Sequence, residues 1–191
     1  MGMRRALALL ALLGLLLAGC AGGQEKAMDQ ALRFRSSLLE AGGAAFTAEI
    51  TADYGDKTYT FTADCKTGQT GDLDFTVTAP EAIAGIAGTV SAQGGQLKFD
   101  NTALDFGLLA DGQLSPAGSA FAVAQSWRSG YITACGREDG SLRMSVDGRF
   151  LGEAVTVDTW LEEEKTVPFY AEICYNNRRV LSLQLRDFQF L

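Results

Sequence analysis

The sequence contains no histidine among its 191 residues. This absence excludes Ser-His-Asp and Cys-His catalysis, zinc sites with histidine ligands and acid–base chemistry by imidazole. Proline is scarce at three residues, whereas glycine is frequent at 22. Lys and Arg total 16 against 23 Asp and Glu, so the net charge is −7. Because phosphate contacts need a basic face, an acidic chain of this kind is a poor binder of nucleic acid.

Short catalytic motifs are missing as well. The sequence has no Ser-x-x-Lys pair, no Gly-x-Ser-x-Gly elbow, no Gly-x-Gly-x-x-Gly turn, no phosphate-binding loop and no Cys-x-x-Cys. The acidic run Glu162-Glu163-Glu164 offers oxygen ligands but lacks the alternating spacing of a calcium loop, so we interpret it as a solvated turn. We therefore expect no enzyme, no metal site and no cofactor. A pair of carboxylates from distant strands is the open enzymatic alternative, although nothing in the sequence selects one.

The first 20 residues have the pattern of an export signal. Arg4 and Arg5 give a short positive region, and residues 6–16 form an uncharged apolar run. This run is too short for a membrane-spanning helix, which needs about 20 residues, but it suits the apolar part of a signal peptide. Leu17-Ala18-Gly19-Cys20 follows and resembles the lipobox of bacterial lipoproteins.

The lipobox resemblance implies that Cys20 receives a diacylglyceryl group and becomes the first residue after cleavage. Several acyl chains, palmitate among them, would then hold the protein to a membrane. We expect residues 1–19 to be a lipoprotein signal peptide, 20–24 a lipidated cysteine with a short tether, and 25–191 one domain. The location implied is extracytoplasmic, at the outer face of the cytoplasmic membrane or at an outer membrane if the host has one. An ordinary secretory signal and an uncleaved anchor are the alternatives.

The chain after residue 24 begins with a helical pattern and then changes to strands. Ala27, Ala31, Phe34 and Leu38 recur at helical spacing and predict a helix over 25–40, which ends at the glycines that follow. Residues after position 44 mostly alternate with a period of two, which is typical of antiparallel strands with one apolar face. Ser115 and Pro116 begin a second predicted helix that ends near residue 130.

The pattern predicts nine or ten strands and two helices in all. Residues 103–109 are apolar and ambiguous, and 81–88 fit a loop or a single helical turn. Asp147-Gly148 predicts a turn between two strands. Two short helices cover little of so broad a sheet. The uncovered apolar face must therefore be a cavity, a ligand site or a partner interface.

The C-terminal segment carries a more specific pattern. A predicted strand at 156–161 is followed by a charged turn, and Val167-Pro168 then leads into a second strand at 170–173. After a polar turn, a third strand at 180–183 precedes the aromatic end of the chain at 187–190. This arrangement, with the order of helices and strands before it, resembles the LolA/LolB-like lipoprotein-carrier family. The acidic charge and the anchor differ from the soluble periplasmic carrier and resemble the lipid-anchored members of the family.

The family resemblance implies an α+β fold, a curved antiparallel sheet or half-open β-barrel with two main helices over the concave side. It also implies a hydrophobic cavity, hence an extracytoplasmic binding protein for an acyl chain or lipid. The alternative is a scaffold lipoprotein of the envelope, or of sporulation or germination, that binds a protein partner and no small ligand. The candidate cavity residues, most of which would also fit a plain core, are Phe46, Ile50, Tyr59, Phe61, Phe75, Val77, Phe121, Trp127 and Trp160.

Three cysteines remain once Cys20 is acylated, namely Cys65, Cys135 and Cys174. Disulfides persist outside the cytoplasm, and an odd number of thiols allows one internal bridge at most. The sequence does not rank the three pairings, and three buried free thiols are the alternative. In either case we expect a structural role rather than a catalytic one.

Overall fold

The structure is a computed structural model that describes residues 23–99, 102–107, 109–110, 113–150, 153–176 and 178–191. The predicted signal peptide, Cys20 and most of the tether lie outside the described residues. In the part that is described, no helix is long and apolar enough to cross a lipid bilayer.

Thirteen strands make up most of the part of the chain that the structure describes, and eleven of them form one antiparallel sheet. The strands are β1 (Ala44–Asp53), β2 (Thr58–Thr67), β3 (Leu73–Ala79), β4 (Ala87–Ser91), β5 (Gly94–Phe99), β6 (Thr102–Phe106), β7 (Leu109–Ala110), β8 (Gln113–Leu114), β9 (Tyr131–Glu138), β10 (Ser141–Phe150), β11 (Glu153–Glu162), β12 (Pro168–Tyr175) and β13 (Arg178–Phe190). The order across the sheet is β6-β5-β4-β3-β2-β1-β13-β12-β11-β10-β9, while β7 and β8 pair separately.

The sheet therefore consists of two meanders that join at its centre. One meander runs from β1 outward to β6, and the other runs from β9 inward to β13. Strand β1 pairs with β13, with Ile50 opposite Leu183, so the first and last strands are central neighbours. The two edges of the sheet are β6 and β9.

Alternation within the strands sets the buried face. In β1 the side chains of Phe46, Ala48 and Ile50 are buried, while those between them are only half-buried. The same alternation of buried side chains continues in the neighbouring strands, where buried Ala63 of β2 lies opposite buried Val77 of β3. One face of the sheet is thus apolar, and both helices pack on it. We call it the concave face.

Two helices lie on the concave face, α1 at residues 23–41 and α2 (Pro116–Arg128). The predicted stripe of α1 is confirmed, because Ala27, Ala31, Phe34 and Leu38 are all buried. Most of α2 is buried as well, and it packs against strands of both meanders, from β1 to β4 and from β10 to β13. Pro116 occupies the first helical turn, which suits its fixed backbone angle.

An aromatic cluster joins the two helices to the centre of the sheet. The Trp127 ring lies 5.3 Å from Phe46, 6.0 Å from Phe34 and 5.8 Å from Phe188, measured between ring centroids. The indole nitrogen of Trp127 donates a buried hydrogen bond of 3.0 Å to Thr159 Oγ1 on β11. Because a buried N–H without an acceptor is costly, this bond fixes which way the ring faces.

Arg35 of α1 binds the C-terminal end of α2. Its guanidinium donates to the carbonyl oxygens of Trp127 at 3.0 Å, Ser126 at 3.0 Å and Gly130 at 3.1 Å. The last carbonyls of a helix lack partners within the helix and carry its negative dipole end, so a cation there is stabilising. Partial burial lowers the pKa of the Arg35 guanidinium from its ordinary value. The two helices are therefore coupled through one side chain.

The predicted fold class is confirmed, since the chain forms an open, curved antiparallel sheet with two helices on one face. One local prediction is wrong. Asp147-Gly148 is not a turn but lies inside β10, paired with Thr156 and Val155 of β11. Thr156 Oγ1 donates to Asp147 Oδ1 at 3.1 Å, so cross-strand pairing prevails over the local turn preference. The ambiguous segment 103–109 contributes most of the edge strand β6.

Candidate functional site

Helix α2 occupies the centre of the concave face. Phe121 and Val123 of α2 are buried, and its C-terminal half is held to the sheet by Gln125, whose Nε2 donates to Gly71 O at 2.7 Å. The expected shortfall of helical cover is therefore absent at the centre. Within the described residues, open concave surface lies on either side of α2.

A small pocket lies between α2 and strands β10 and β11. Its volume is about 190 Å³. Val146, Val155, Val157 and Ala122 form its apolar wall, and Gln125, Ser126 and Ser129 are among the polar groups that also line it. Pockets that bind small molecules usually measure roughly 300–1,000 Å³. This pocket is smaller than that range, so by itself it does not accommodate a whole acyl chain.

On the other side of α2 an apolar surface continues out to the sheet edge. Cross-strand pairing places Phe75, Gly88, Leu97 and Leu104 in one row across β3, β4, β5 and β6. Burial falls along this row, from a buried Phe75 to a Leu104 that is 63% exposed. Phe99 lies on the same face of β5 and is 52% exposed. We call Leu97, Phe99, Leu104 and Phe106 the distal strip.

Two glycines shape the surface beside the distal strip. A Cβ added to Gly95 would clash with the Phe106 ring, and one added to Gly88 would lie 2.8 Å from the Phe75 ring. Real Cβ atoms essentially never approach other atoms so closely, so both rings rest directly on glycine backbone. The absence of these side chains leaves room for the two aromatic rings over the neighbouring strands.

The predicted cavity residues occupy three kinds of position. Phe46, Ile50, Phe121 and Trp127 are buried in the core around α2. Phe75 and Val77 are buried on β3 and lie beside the row that leads to the distal strip, and Phe61 on β2 is partly buried against the core. Tyr59, at the start of β2, is 48% exposed, with its ring 6.1 Å from Tyr54. Whether any of them contacts a ligand stays a prediction.

Trp160 lies on the opposite, convex face of the sheet. Its neighbour Thr159 meets Trp127 on the concave side, and successive side chains of a strand point to opposite faces. The Trp160 ring lies 5.3 Å from the Tyr170 ring, and the Arg143 guanidinium carbon lies 5.2 Å from its centroid. The structure therefore separates Trp160 from the other eight candidates.

The convex face around Trp160 carries a network of charges. Asp158 accepts from Arg143 Nη2 at 2.9 Å and from Ser145 Oγ at 2.5 Å. The next strand places Glu172 opposite Asp158, where it accepts from Arg179 at 2.9 Å. The two carboxylates would repel each other across the strands, but each is paired with its own guanidinium, Asp158 with Arg143 and Glu172 with Arg179. Within the described ranges, no three Cys, Asp or Glu side chains are arranged so that they could hold a metal ion.

The residues of the distal strip are absent from the sequence-based candidates. The sequence places 96–99 in a hairpin and leaves 103–109 ambiguous, because neither segment by itself shows how far the sheet extends. Leu97 and Phe99 do alternate with Gln96 and Lys98, which is the available signal for one apolar face. Only the pairing of β5 with β6 brings Leu97 next to Leu104.

The three described cysteines are free thiols in the structure. Cys65 on β2 and Cys135 on β9 are buried, whereas Cys174 on β12 is half-buried and belongs to the convex face. Burial raises the pKa of the Cys65 thiol to about 12 and also raises the pKa of Cys135 and of Cys174. Because only the thiolate reacts readily, all three are poor nucleophiles at neutral pH.

We expect a thiol reagent at pH 8 to label Cys174 before either of the other two cysteines in the folded chain. Cys65 should stay unlabelled until the pH approaches 12 or the protein unfolds. Burial favours its neutral thiol, and the reagent reacts with the thiolate. Peptide mass spectrometry after timed labelling measures the order. Rapid labelling of Cys65 at pH 8, with the fold intact by circular dichroism, would contradict this assignment.

No protein-family model and no curated protein matches the chain. Among solved structures, the chain is similar to an uncharacterized conserved protein from Thermus thermophilus at a TM-score of 0.47 and 9% identity, covering 84% of this chain and 87% of that one. An outer membrane lipoprotein-sorting protein domain from Vibrio parahaemolyticus gives a TM-score of 0.47, 10% identity and coverage of 87% and 92%. A LolA superfamily protein from Nitrosomonas europaea gives 0.41, 11% identity and coverage of 82% and 93%.

Proposed function

We propose that this chain is a lipid-anchored extracytoplasmic binding protein whose distal strip holds an acyl chain or another apolar group. Acylated Cys20 would attach the protein to the outer face of the cytoplasmic membrane, or to an outer membrane if the host has one. The role is binding without catalysis and without a cofactor. The domain from residue 25 onward would act as one unit.

The exposed distal strip is the observation that supports this proposal. Leu104 and Phe99 are each more than half exposed, although they continue an apolar surface that is buried at Phe75. Apolar patches of this kind mark ligand or partner sites in soluble domains. Fully burying a side chain of this size contributes about 1.5–3 kcal/mol, so an apolar occupant would gain binding energy from each of them.

A binding assay with paired variants tests the strip directly. We expect the chain from residue 21 onward to bind a fluorescent fatty acid, and Leu104→Glu to weaken that binding at least ten-fold. A buried leucine's contribution of about 1.5–3 kcal/mol corresponds to a factor of ten or more. The matched control is Ala103→Glu, which adds the same charge to the same strand on the opposite face, where Ala103 is also exposed.

The outcomes of this assay separate clearly. Weaker binding in Leu104→Glu with unchanged binding in Ala103→Glu supports the strip as the site. Equal loss in both variants points to a general charge effect and would overturn that assignment. No fluorophore binding by the unmodified chain, with no lipid found by native mass spectrometry after purification from its own host, would reject apolar-ligand binding altogether.

The partner-binding alternative rests on a different feature, the open edge of the sheet. Strand β6 ends the sheet order, so its outer backbone groups meet no other strand of the described chain. Such an edge accepts an extended segment of a second protein by strand addition. A photoreactive amino acid at Ala103 would then capture one specific envelope protein, and Leu104→Glu would lower the yield. Capture of nothing above background would remove this alternative.

A further inference from the structure

We infer that one end of the sheet faces the bilayer that holds Cys20, and that the distal strip faces away from that bilayer. The bilayer-facing end consists of the start of α1, the β9–β10 turn and the β11–β12 turn, and we call it the anchor-side surface. This inference rests on the acylation of Cys20 in the proposed function. It goes further by assigning a membrane-facing surface and the side from which an occupant of the strip arrives.

The distance between the anchor and the fold is limited by covalent geometry. Three residue steps separate Cys20 from residue 23, where the described helix α1 begins. A chain spans at most about 3.3–3.6 Å per residue, so the acylated cysteine lies within roughly 10 Å of the start of α1. Whatever surface surrounds the start of α1 is therefore close to the headgroups.

The start of α1 is fixed to the β9 edge of the sheet rather than projecting from it. Ala27 is completely buried, and Met28 Sδ lies 4.0 Å from Cys135 Sγ on β9. Arg137 of β9 donates to Gln30 Oε1 at 3.5 Å and forms an ion pair with Glu163 of the β11–β12 turn. These contacts join α1, β9 and the turn into one surface, so the helix is not free to swing.

The distal strip lies at the other edge of the same sheet. Strands β9 and β6 terminate the eleven-strand order, with ten strand spacings between them. At about 4.8 Å per spacing, the path along the curved sheet is roughly 48 Å. With α1 docked and the β9 edge at the bilayer, the strip belongs to the edge of the sheet that is farthest from the bilayer along this path. In the inferred orientation its apolar occupant arrives from the aqueous side.

The charge of the anchor-side surface indicates which lipids it tolerates. Acidic side chains outnumber basic ones there. The acids are Glu25, Asp29, Glu138, Asp139, Glu162, Glu163 and Glu164, and the bases are Lys26, Arg33, Arg137 and Lys165. Anionic headgroups repel such a surface at distances within a Debye length. The partner that fits it is a bilayer surface of zwitterionic headgroups.

Energy transfer to the membrane tests this orientation with the mature, acylated protein in vesicles. A fluorescent donor is placed at Glu164→Cys or at Ala103→Cys, both exposed positions, in a Cys174→Ser background, and acceptor dye is carried on lipid headgroups. In phosphatidylcholine vesicles we expect transfer from position 164 to be at least twice that from position 103. Replacing a third of the lipid with phosphatidylglycerol at low salt should lower transfer from position 164.

Each result has a distinct meaning. Equal transfer from the two positions, or more from position 103, would overturn the inference. If the protein with intact Cys20 fails to stay on vesicles, the anchor and this inference both fall, while fatty-acid binding by the chain from residue 21 is judged separately. If position 164 gives the higher transfer but no fatty acid binds, the orientation holds and the proposed ligand falls. A Cys20→Ala variant sets the background transfer.

Discussion

Replacing Trp127 with alanine should lower the free energy of unfolding by about 4 kcal/mol. Large-to-small changes at buried aromatic positions cost roughly 3–5 kcal/mol because they remove apolar contacts and leave a cavity. Trp127 is fully buried and touches aromatic rings from α1, β1 and β13. Urea denaturation followed by circular dichroism measures the change.

A matched variant separates packing from hydrogen bonding at this site. Trp127→Phe keeps a ring but leaves Thr159 Oγ1 without its donor, so we expect a loss of about 1–3 kcal/mol. Adding Thr159→Val to Trp127→Phe removes the unpaired hydroxyl and should recover part of that loss. A loss below about 1 kcal/mol for Trp127→Ala would mean that the aromatic cluster does not hold α2 in place.

Replacing Arg35 with alanine should cost about 2–3 kcal/mol and should loosen α2 selectively. The substitution removes charge-assisted hydrogen bonds to four carbonyls at the end of α2 and just after it. Bonds of that type contribute roughly 1.5–3 kcal/mol each in isolation, and water replaces part of them at this half-exposed position. Hydrogen exchange should rise in residues 123–130 while strands β12 and β13 stay protected.

The control for Arg35 lies two residues earlier. Arg33 is on the same helix, but its side chain is exposed and its ion pair is with Asp29 one turn away. Surface pairs of this kind contribute about 0–1 kcal/mol, so Arg33→Ala should change stability little. Equal effects of Arg33→Ala and Arg35→Ala, or unchanged exchange in α2 for Arg35→Ala, would contradict the coupling of the two helices.

Local periodicity was sufficient to predict the elements whose pattern is complete within one segment. The stripe from Ala27 to Leu38 predicts α1, and Ser115-Pro116 marks the start of α2. Local periodicity does not predict the secondary structure of a segment whose conformation depends on pairing with a distant strand. Asp147-Gly148 has the composition of a turn, yet pairing with β11 on one side extends β10 through both residues.

The candidate site was predicted less well than the fold, for the same physical reason. Which residues of an apolar face remain uncovered depends on where α2 lies, and α2 is placed by contacts with eight strands. The distal strip is therefore a property of the assembled sheet. Trp160 is different, because the alternation of Val155 and Val157 with their neighbours is enough to put it on the opposite face, although we list it among the cavity candidates.

The pairing of β1 with β13 has a consequence for biogenesis. The two central strands are separated by well over a hundred residues of sequence, so the sheet closes only through contacts of very long range. Non-local topologies of this kind fold slowly, since loop-closure entropy is lost before the pairing is gained. Until β13 pairs with β1, the first meander has an open inner edge. The partly folded chain is therefore most open to wrong strand pairing just before the final strand joins the sheet.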